Sequence, residues 1–178
     1  MKPSRAVITI IAVVQLLAIS LWASGLVTLG AVVAPIVFRV VPAPGSADAM
    51  TLVFRRFDTI AITCAAIALV AEAAFALRGG KVTRVDVARG LALAAAAALA
   101  IAIGAWVSPG IAELHRQGAI RHVGDAGIAL ERLHKLAESL AKGELFALLV
   151  AFILTLVKTT RPSTEGTPPA SPATGPRS

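Results

Sequence analysis

The chain has 178 residues, of which 57% are apolar and only 15% are charged, and its mean hydropathy is +0.81. An ordinary soluble domain is about 45–50% apolar and about 25% charged. A water-soluble protein of this length cannot bury so much apolar surface, so the composition indicates an integral membrane protein and argues against a soluble enzyme.

The formal net charge of +7 does not indicate a nucleic-acid partner. Most of the 17 basic residues flank apolar runs, where anionic lipid headgroups lie, and the chain has no basic face carrying aromatic residues that could stack on bases. The lipid bilayer is therefore the expected partner.

Four stretches without charge predict membrane-spanning helices, because a bilayer core of about 30 Å needs about 20 helical residues. The uncharged runs cover residues 6–38, 59–71, 90–112 and 145–157. The first and third are long enough alone. The second must include Glu72, and the fourth must extend back through Glu144, Lys142 and Glu138.

These limits predict four helices in one membrane domain, residues 1–160: 6–34, 48–78, 85–107 and 126–158. Pro35 and Pro109 mark the ends of the first and third helices, because proline cannot continue the backbone ladder. The spacing of apolar residues from Met50 to Phe57 predicts an amphipathic start to the second helix. The predicted fold is all-α: a four-helix transmembrane bundle with an amphipathic extension before helix 2 and a long helix 4.

The two ends of the chain differ in character. Residues 161–178 contain five of the ten prolines and no large apolar residue, which predicts a disordered proline-rich tail. A cleaved signal peptide is the alternative interpretation of the first apolar segment. The apolar run continues about 15 residues past Ala23 without a polar start, which favours a retained helix.

The distribution of basic residues predicts the orientation in the membrane. With four spans both termini share one side, and each side carries eight basic residues when Arg177 of the tail is left aside. Those on the side of the termini are denser, within about 20 flanking residues against about 50. We therefore expect a multi-pass protein of the bacterial inner (plasma) membrane with both termini cytoplasmic.

Small residues recur every fourth position on the third predicted helix. Helices in lipid associate through close packing of such residues. The predicted packing face consists of Ala92, Ala96, Ala100, Gly104 and Ser108. It predicts close approach of a neighbouring helix, and a homo-oligomer or a membrane-protein partner is compatible with it.

Glu72 is the clearest ionisable side chain inside an apolar span, and each such group costs about 2.5–3.5 kcal/mol on insertion scales. One hypothesis is a carboxylate that faces the bundle interior and binds a proton or cation. The other, which we favour, is a carboxylate that reaches the headgroups or pairs with a basic residue of the short following loop.

Glu131, His134 and Glu138 share one face of the fourth predicted helix, at spacing i, i+3, i+7. They form a candidate ion or proton site. His115 and His122 lie in the preceding region, so the three histidines are also a candidate divalent-metal site. Arginines and lysines are frequent here, and a solvated, salt-bridged helix extension is the favoured interpretation.

A charged cluster precedes the second apolar run and consists of Arg55, Arg56 and Asp58. Its two arginines predict contact with lipid phosphates or ion pairs with the carboxylates of the fourth helix. The sequence contains no glycine-rich phosphate loop, no HExxH motif and no nucleophile elbow. We therefore expect no enzyme activity and no cofactor.

Several short motifs, in matching order, resemble the bacterial domain of unknown function 4149 family, which is similar to eukaryotic transmembrane protein 205. The motifs are Trp22-x-x-Gly25, Ala34-Pro35-x-x-Phe38, Phe54-x-x-Phe57, Ser108-Pro109 and Leu133-His134. The resemblance implies a four-helix membrane domain without an established biochemical activity. Association of the eukaryotic relative with resistance to platinum drugs implies handling of soft metals, for which this chain offers few sulfur ligands.

Two functional hypotheses follow. The leading one is a non-enzymatic membrane protein that serves as accessory or subunit of a larger assembly. The alternative is a small transporter or cation- or metal-binding protein that uses Glu72, or the cluster of His134 and Glu138. A polar cavity inside the bundle is the observation that favours the alternative.

Overall fold

The protein is described by a computed structural model that covers residues 4–77 and 82–160. All regular secondary structure within these two ranges is helical. Four helices are long and apolar enough to cross a membrane, which confirms the predicted all-α, four-span fold. The predicted proline-rich tail, residues 161–178, lies outside the described residues.

The first and third helices each consist of an α-helical stretch, one π-helical turn and a second α-helical stretch. The first helix comprises Arg5–Thr28, Leu29–Val33 and Ala34–Val40. The third comprises Arg84–Ala102, Ile103–Val107 and Ser108–Arg116. Both are longer than the predicted ranges, which ended at residues 34 and 107.

The π turns explain why these two helices continue past a proline. The N–H group of Ala34 bonds to the carbonyl of Leu29, five residues back, immediately before Pro35. The third helix repeats the arrangement before Pro109. A widened turn removes the clash of the proline ring with the carbonyl four residues earlier, so the prediction that proline ends each helix was wrong.

The second helix comprises Gly45–Ala76 and the fourth comprises Gly124–Thr160. The predicted amphipathic extension forms the first turns of the second helix, where Ser46 and Met50 are buried. The 37 residues of the fourth helix give a length of about 55 Å, so this helix projects beyond a bilayer core of about 30 Å.

Each helix contacts the helices before and after it in the chain, and the fourth also packs on the first. The result is an up-down-up-down four-helix bundle closed into a ring. We call its two ends the terminal end, where the first helix begins and the fourth ends, and the loop end, where the short connections near residues 41–44 and 117–123 lie.

The bundle core is built from small side chains. Within the predicted packing face of the third helix, Ala96 and Ala100 are buried and Ala92 packs against the core. Gly104 and Ser108 lie farther along the same face, close to Asp58 of the second helix. Further buried alanines come from the second and fourth helices: Ala61, Ala65, Ala68, Ala147 and Ala151.

Large apolar side chains cover the outside of the bundle instead. Leu17, Val70, Trp106 and Phe146 are exposed by 64%, 69%, 75% and 70%, one from each helix. This distribution reverses that of a water-soluble protein, in which such side chains fill the core. Together with the four span-length helices it characterises a multi-pass integral membrane protein.

Because the alanine core is closely packed, the destabilisation caused by a larger side chain should depend strongly on whether its position is buried or exposed. We expect Ala96→Leu, at a fully buried site, to destabilise the protein by about 1–3 kcal/mol through overpacking. Ala95→Leu on the exposed face of the same helix is the matched control and should leave stability unchanged. Reversible unfolding in mixed detergent micelles measures both, and equal effects would contradict this assignment of the faces.

Candidate functional site

Two groups of polar side chains lie inside the bundle. The first, here called the ion-pair layer, is near the terminal end and consists of Gln15, Glu72, Asp86, Arg89 and Lys158. The second lies toward the loop end around a cavity of about 710 Å³, and we call it the carboxylate cavity after Asp58 and Glu144 in its wall.

The centre of the ion-pair layer is a two-point salt bridge between Arg89 and Glu72. Arg89 Nε donates to Glu72 Oε2 at 2.7 Å, and Arg89 Nη2 donates to Glu72 Oε1 at 2.9 Å. The Arg89 side chain is only 1% exposed. The planar guanidinium matches both carboxylate oxygens, so this pair joins the second and third helices with fixed geometry.

The layer extends to the other two helices. Gln15 Nε2, from the first helix, donates to Glu72 Oε2 at 3.0 Å. Arg89 Nη2 is 3.4 Å from Asp86 Oδ1, and Asp86 also pairs with Lys158 of the fourth helix. Side chains of all four helices are therefore linked at the terminal end.

Glu72 faces the interior, as one of the two hypotheses proposed, but it is paired with a buried arginine. Arg89 is one of the basic residues near the terminal end, and its side chain is buried inside the bundle. The favoured partner, a basic residue of the short loop, falls on residues 78–81, which lie outside the described residues. Because Arg89 occupies both carboxylate oxygens, Glu72 is a structural group rather than an open cation site.

All four helices contribute to the wall of the carboxylate cavity. Glu144 of the fourth helix is 1% exposed and accepts a hydrogen bond from Trp22 Nε1 at 2.5 Å. Trp22 itself is fully buried in the middle of the first helix. The indole N–H is the only hydrogen-bond partner that Glu144 has among the described residues.

Asp58 lies on the adjacent wall of the cavity. Ser108 Oγ, on the third helix, donates to Asp58 Oδ2 at 3.2 Å. A Cβ at Gly104 would lie 3.6 Å from the Asp58 side chain, so a small residue there makes room for this carboxylate. Of the predicted headgroup cluster, Arg55 lines the cavity and Arg56 lies in an outer groove, both exposed, while Asp58 points inward.

The two cavity carboxylates differ from Glu72 in one respect. Over residues 4–77 and 82–160, neither Asp58 nor Glu144 forms a salt bridge, although the two interact electrostatically with each other. A carboxylate buried in an apolar protein interior is costly unless a positive charge or a proton accompanies it. Basic residues line the cavity as well, among them Arg55 and Lys142, but none of those that the structure describes is paired with Asp58 or Glu144.

The predicted face of Glu131, His134 and Glu138 borders the outer part of this cavity. Glu131 lies 3.5 Å from Arg121 Nε and 3.6 Å from Lys135 Nζ. Glu138, an exposed residue, accepts a hydrogen bond from Lys142 at 2.7 Å. These carboxylates have basic neighbours, as the salt-bridged interpretation of this region expects.

The histidines do not assemble into one metal site. The ring centroids of His115 and His134 are 5.9 Å apart, whereas His122 is exposed and lies 4.0 Å from Glu131. In the part of the chain that the structure describes, no group of three or more His, Cys, Asp or Glu side chains is arranged to hold a metal ion. The prediction of a metal site formed by all three histidines was therefore wrong.

Sequence reasoning missed four buried polar residues: Gln15, Trp22, Arg89 and Glu144. Two signals point to some of them. Gln15 and Trp22 are seven residues apart in an otherwise uncharged helix, which places them on the same face. Glu144 immediately precedes an uncharged run too short to span a bilayer, so the membrane segment has to include it.

A family model described as "Domain of unknown function (DUF4149)" matches residues 17–120, more than half of the chain. The chain belongs to the DUF4149 family. Within this family match lie Trp22, Asp58, Glu72 and Arg89, whereas Glu144 lies beyond it. Searches of curated proteins and of solved structures find no match for this DUF4149 protein.

The ion-pair layer predicts a large cost for removing one partner. We expect Arg89→Met to destabilise the protein by about 3–5 kcal/mol, because Glu72 is left buried without a counter-charge. The double variant Glu72→Met with Arg89→Met should recover most of that loss, since it removes both charges. Unfolding of the three proteins in detergent micelles tests this, and a double variant as unstable as Arg89→Met would contradict it.

Proposed function

We propose that this DUF4149 protein is a small cation-binding membrane protein of the transporter type, with its site in the carboxylate cavity. The observation that supports the proposal is the pair formed by the half-buried Asp58 and the buried Glu144, whose hydrogen-bond donors among the described residues are a hydroxyl and an indole N–H. An ionisable residue inside a membrane marks a functional site by default, and a bound cation would offset the cost of burying both groups.

The positions of the ion-pair layer and the carboxylate cavity along the bundle support access of a cation from one end. The cavity extends from Glu144 to charged side chains at the loop end, including Arg121 and Glu131. Toward the terminal end, the ion-pair layer ties the four helices together around Arg89. A cation thus enters from the loop end and meets a closed layer beyond the carboxylates.

We place the protein in the bacterial inner membrane with both termini in the cytoplasm, on the density of basic residues near the terminal end. In this orientation the cavity opens toward the extracytoplasmic side. The role is non-enzymatic, and the likeness to eukaryotic transmembrane protein 205 is part of the same proposal.

An accessory role in a larger assembly is the second candidate function. Ser20, Ser24 and Thr28 recur every fourth residue on an exposed face of the first helix. Ser24 and Thr28 border a shallow outer groove between the first and second helices. Small residues on a lipid-facing surface favour association with another helix, from a second copy or from a different membrane protein.

Cation binding is tested with Trp22 as the reporter. In a Trp106→Phe background Trp22 is the one remaining tryptophan, and a cation at Glu144 should change its emission by weakening the indole hydrogen bond. We expect saturable binding of ammonium, methylammonium or decylammonium in phosphatidylcholine nanodiscs. Asp58→Asn and Glu144→Gln should each weaken the affinity for the cation at least tenfold. Isothermal titration calorimetry provides a second measurement of the same affinity.

The control for this experiment is Asp125→Asn, an exposed carboxylate at the start of the fourth helix, outside the cavity. It should bind like the parent protein. Absence of binding for all three cations, or binding that is independent of both cavity carboxylates, would reject the proposal and leave the accessory role.

The orientation predicts the behaviour of C-terminal fusions. Green fluorescent protein fused after residue 178 should fluoresce in a bacterial host, and alkaline phosphatase at the same position should be inactive, because the latter needs an oxidising compartment. A fusion placed between Gly118 and Ala119, in the loop-end connection, should give the opposite pair of results. Equal activity of phosphatase at both positions would contradict the assignment.

A further inference from the structure

The walls of the carboxylate cavity differ in chemistry. The first helix contributes only apolar groups to the wall, among them Leu26, Val27 and Ala34. The fourth helix contributes charged groups, including Lys135 and Lys142. A small hydrated ion makes no use of the apolar wall, whereas a molecule with a charged head and an apolar body matches both walls at once.

The cavity also faces the gap between the first and fourth helices. The first helix contacts the fourth along Arg5–Thr28, whereas its last segment, Ala34–Val40, packs on the second helix. Small residues lie on both sides of the gap beyond that contact: Gly30 and Ala31 on one, Ala137 and Ala141 on the other. A Cβ atom built at Gly30 meets nothing within 4 Å. We call the space between these residues the lateral portal.

The cavity wall contains equal numbers of acidic and basic residues, but their pairing differs along the cavity. Glu138 is bonded to Lys142, and Glu131 lies near both Arg121 and Lys135, so each of these outer carboxylates has a basic partner within the protein. Arg55, also in the wall, is exposed and can be solvated. Asp58 and Glu144, at the deep end, remain without a basic partner among the described residues, and an ammonium group complements them by charge and by hydrogen bonding.

Building on the proposed function, we infer that the ligand is an amphiphilic amine that partitions into the membrane and enters through the lateral portal. Its ammonium group binds Asp58 and Glu144, and its apolar body lies along the first helix. This assigns a substrate class to the cavity: an ammonium head on an apolar chain, from a single-chain amine or an aminophospholipid.

Three probes separate head from chain in phosphatidylcholine nanodiscs: decylammonium, methylammonium and decanoate. We expect decylammonium to bind at least tenfold more tightly than methylammonium. Decanoate also has ten carbons but carries the opposite charge, so it should not compete with decylammonium. Nanodiscs that contain phosphatidylethanolamine distinguish the two sources, because an aminophospholipid ligand would compete with decylammonium and a free amine site would not be affected by the lipid.

The portal is tested with Ala141→Phe, which narrows the gap and keeps both carboxylates in the chain. Stopped-flow Trp22 emission should show at least fivefold slower association of decylammonium, while methylammonium, which enters from water, keeps its rate. Ala95→Phe, on an exposed face of the third helix, is the matched control and should slow neither probe.

The outcomes separate this inference from the proposed function. If methylammonium binds as tightly as decylammonium, and binding depends on both carboxylates, the cavity is a site for small cations and the amphiphile inference is wrong. Competition by decanoate, or an unchanged rate in Ala141→Phe, would also overturn it. If no cation binds, the proposed function itself fails.

Discussion

A charge inside a bilayer has to be compensated by another protein group or by a ligand, because neither water nor lipid tails can solvate it there. The ion-pair layer meets this requirement within the protein, where Arg89 satisfies both oxygens of Glu72. The carboxylate cavity does not, since the hydrogen-bond donors to Asp58 and Glu144 within the described ranges are all neutral. The same constraint thus produces a closed structural layer at one level of the bundle and an incomplete site at another.

Small side chains determine where the helices approach and where they separate. Ala96, Ala100 and Ala151 let neighbouring backbones pack closely through the centre of the bundle. Toward the loop end, the π turns at Leu29–Val33 and Ile103–Val107 change the helical register, and residues of both turns line the cavity. Such turns are frequent at functional sites because they re-orient side chains without ending the helix.

Charge-free runs were sufficient to predict four spans, since the bilayer imposes a minimum length on each helix. They were insufficient to predict which face is buried, because lipid-facing and core-facing positions are both apolar in such helices and the usual contrast between faces is lost. For this reason the sequence pattern does not indicate that Arg89, close to the start of the third helix, is buried inside the bundle. Helix spacing put His134 on one face with Glu131 and Glu138, but only the path of the loop-end connection decides that His122 is exposed and lies near Glu131.

Basic side chains that could neutralise the cavity carboxylates lie nearby but do not pair with them. Lys142 is two residues from Glu144, which places it on a different side of the fourth helix, and it bonds to Glu138 instead. Arg55 is one helical turn from Asp58 and is exposed rather than paired with it. Either pair would neutralise a cavity carboxylate within the protein, as Arg89 does for Glu72. A ligand can neutralise only those charges that protein groups do not already neutralise. The proposed binding site therefore depends on the unpaired Asp58 and Glu144 and not on the ion-pair layer.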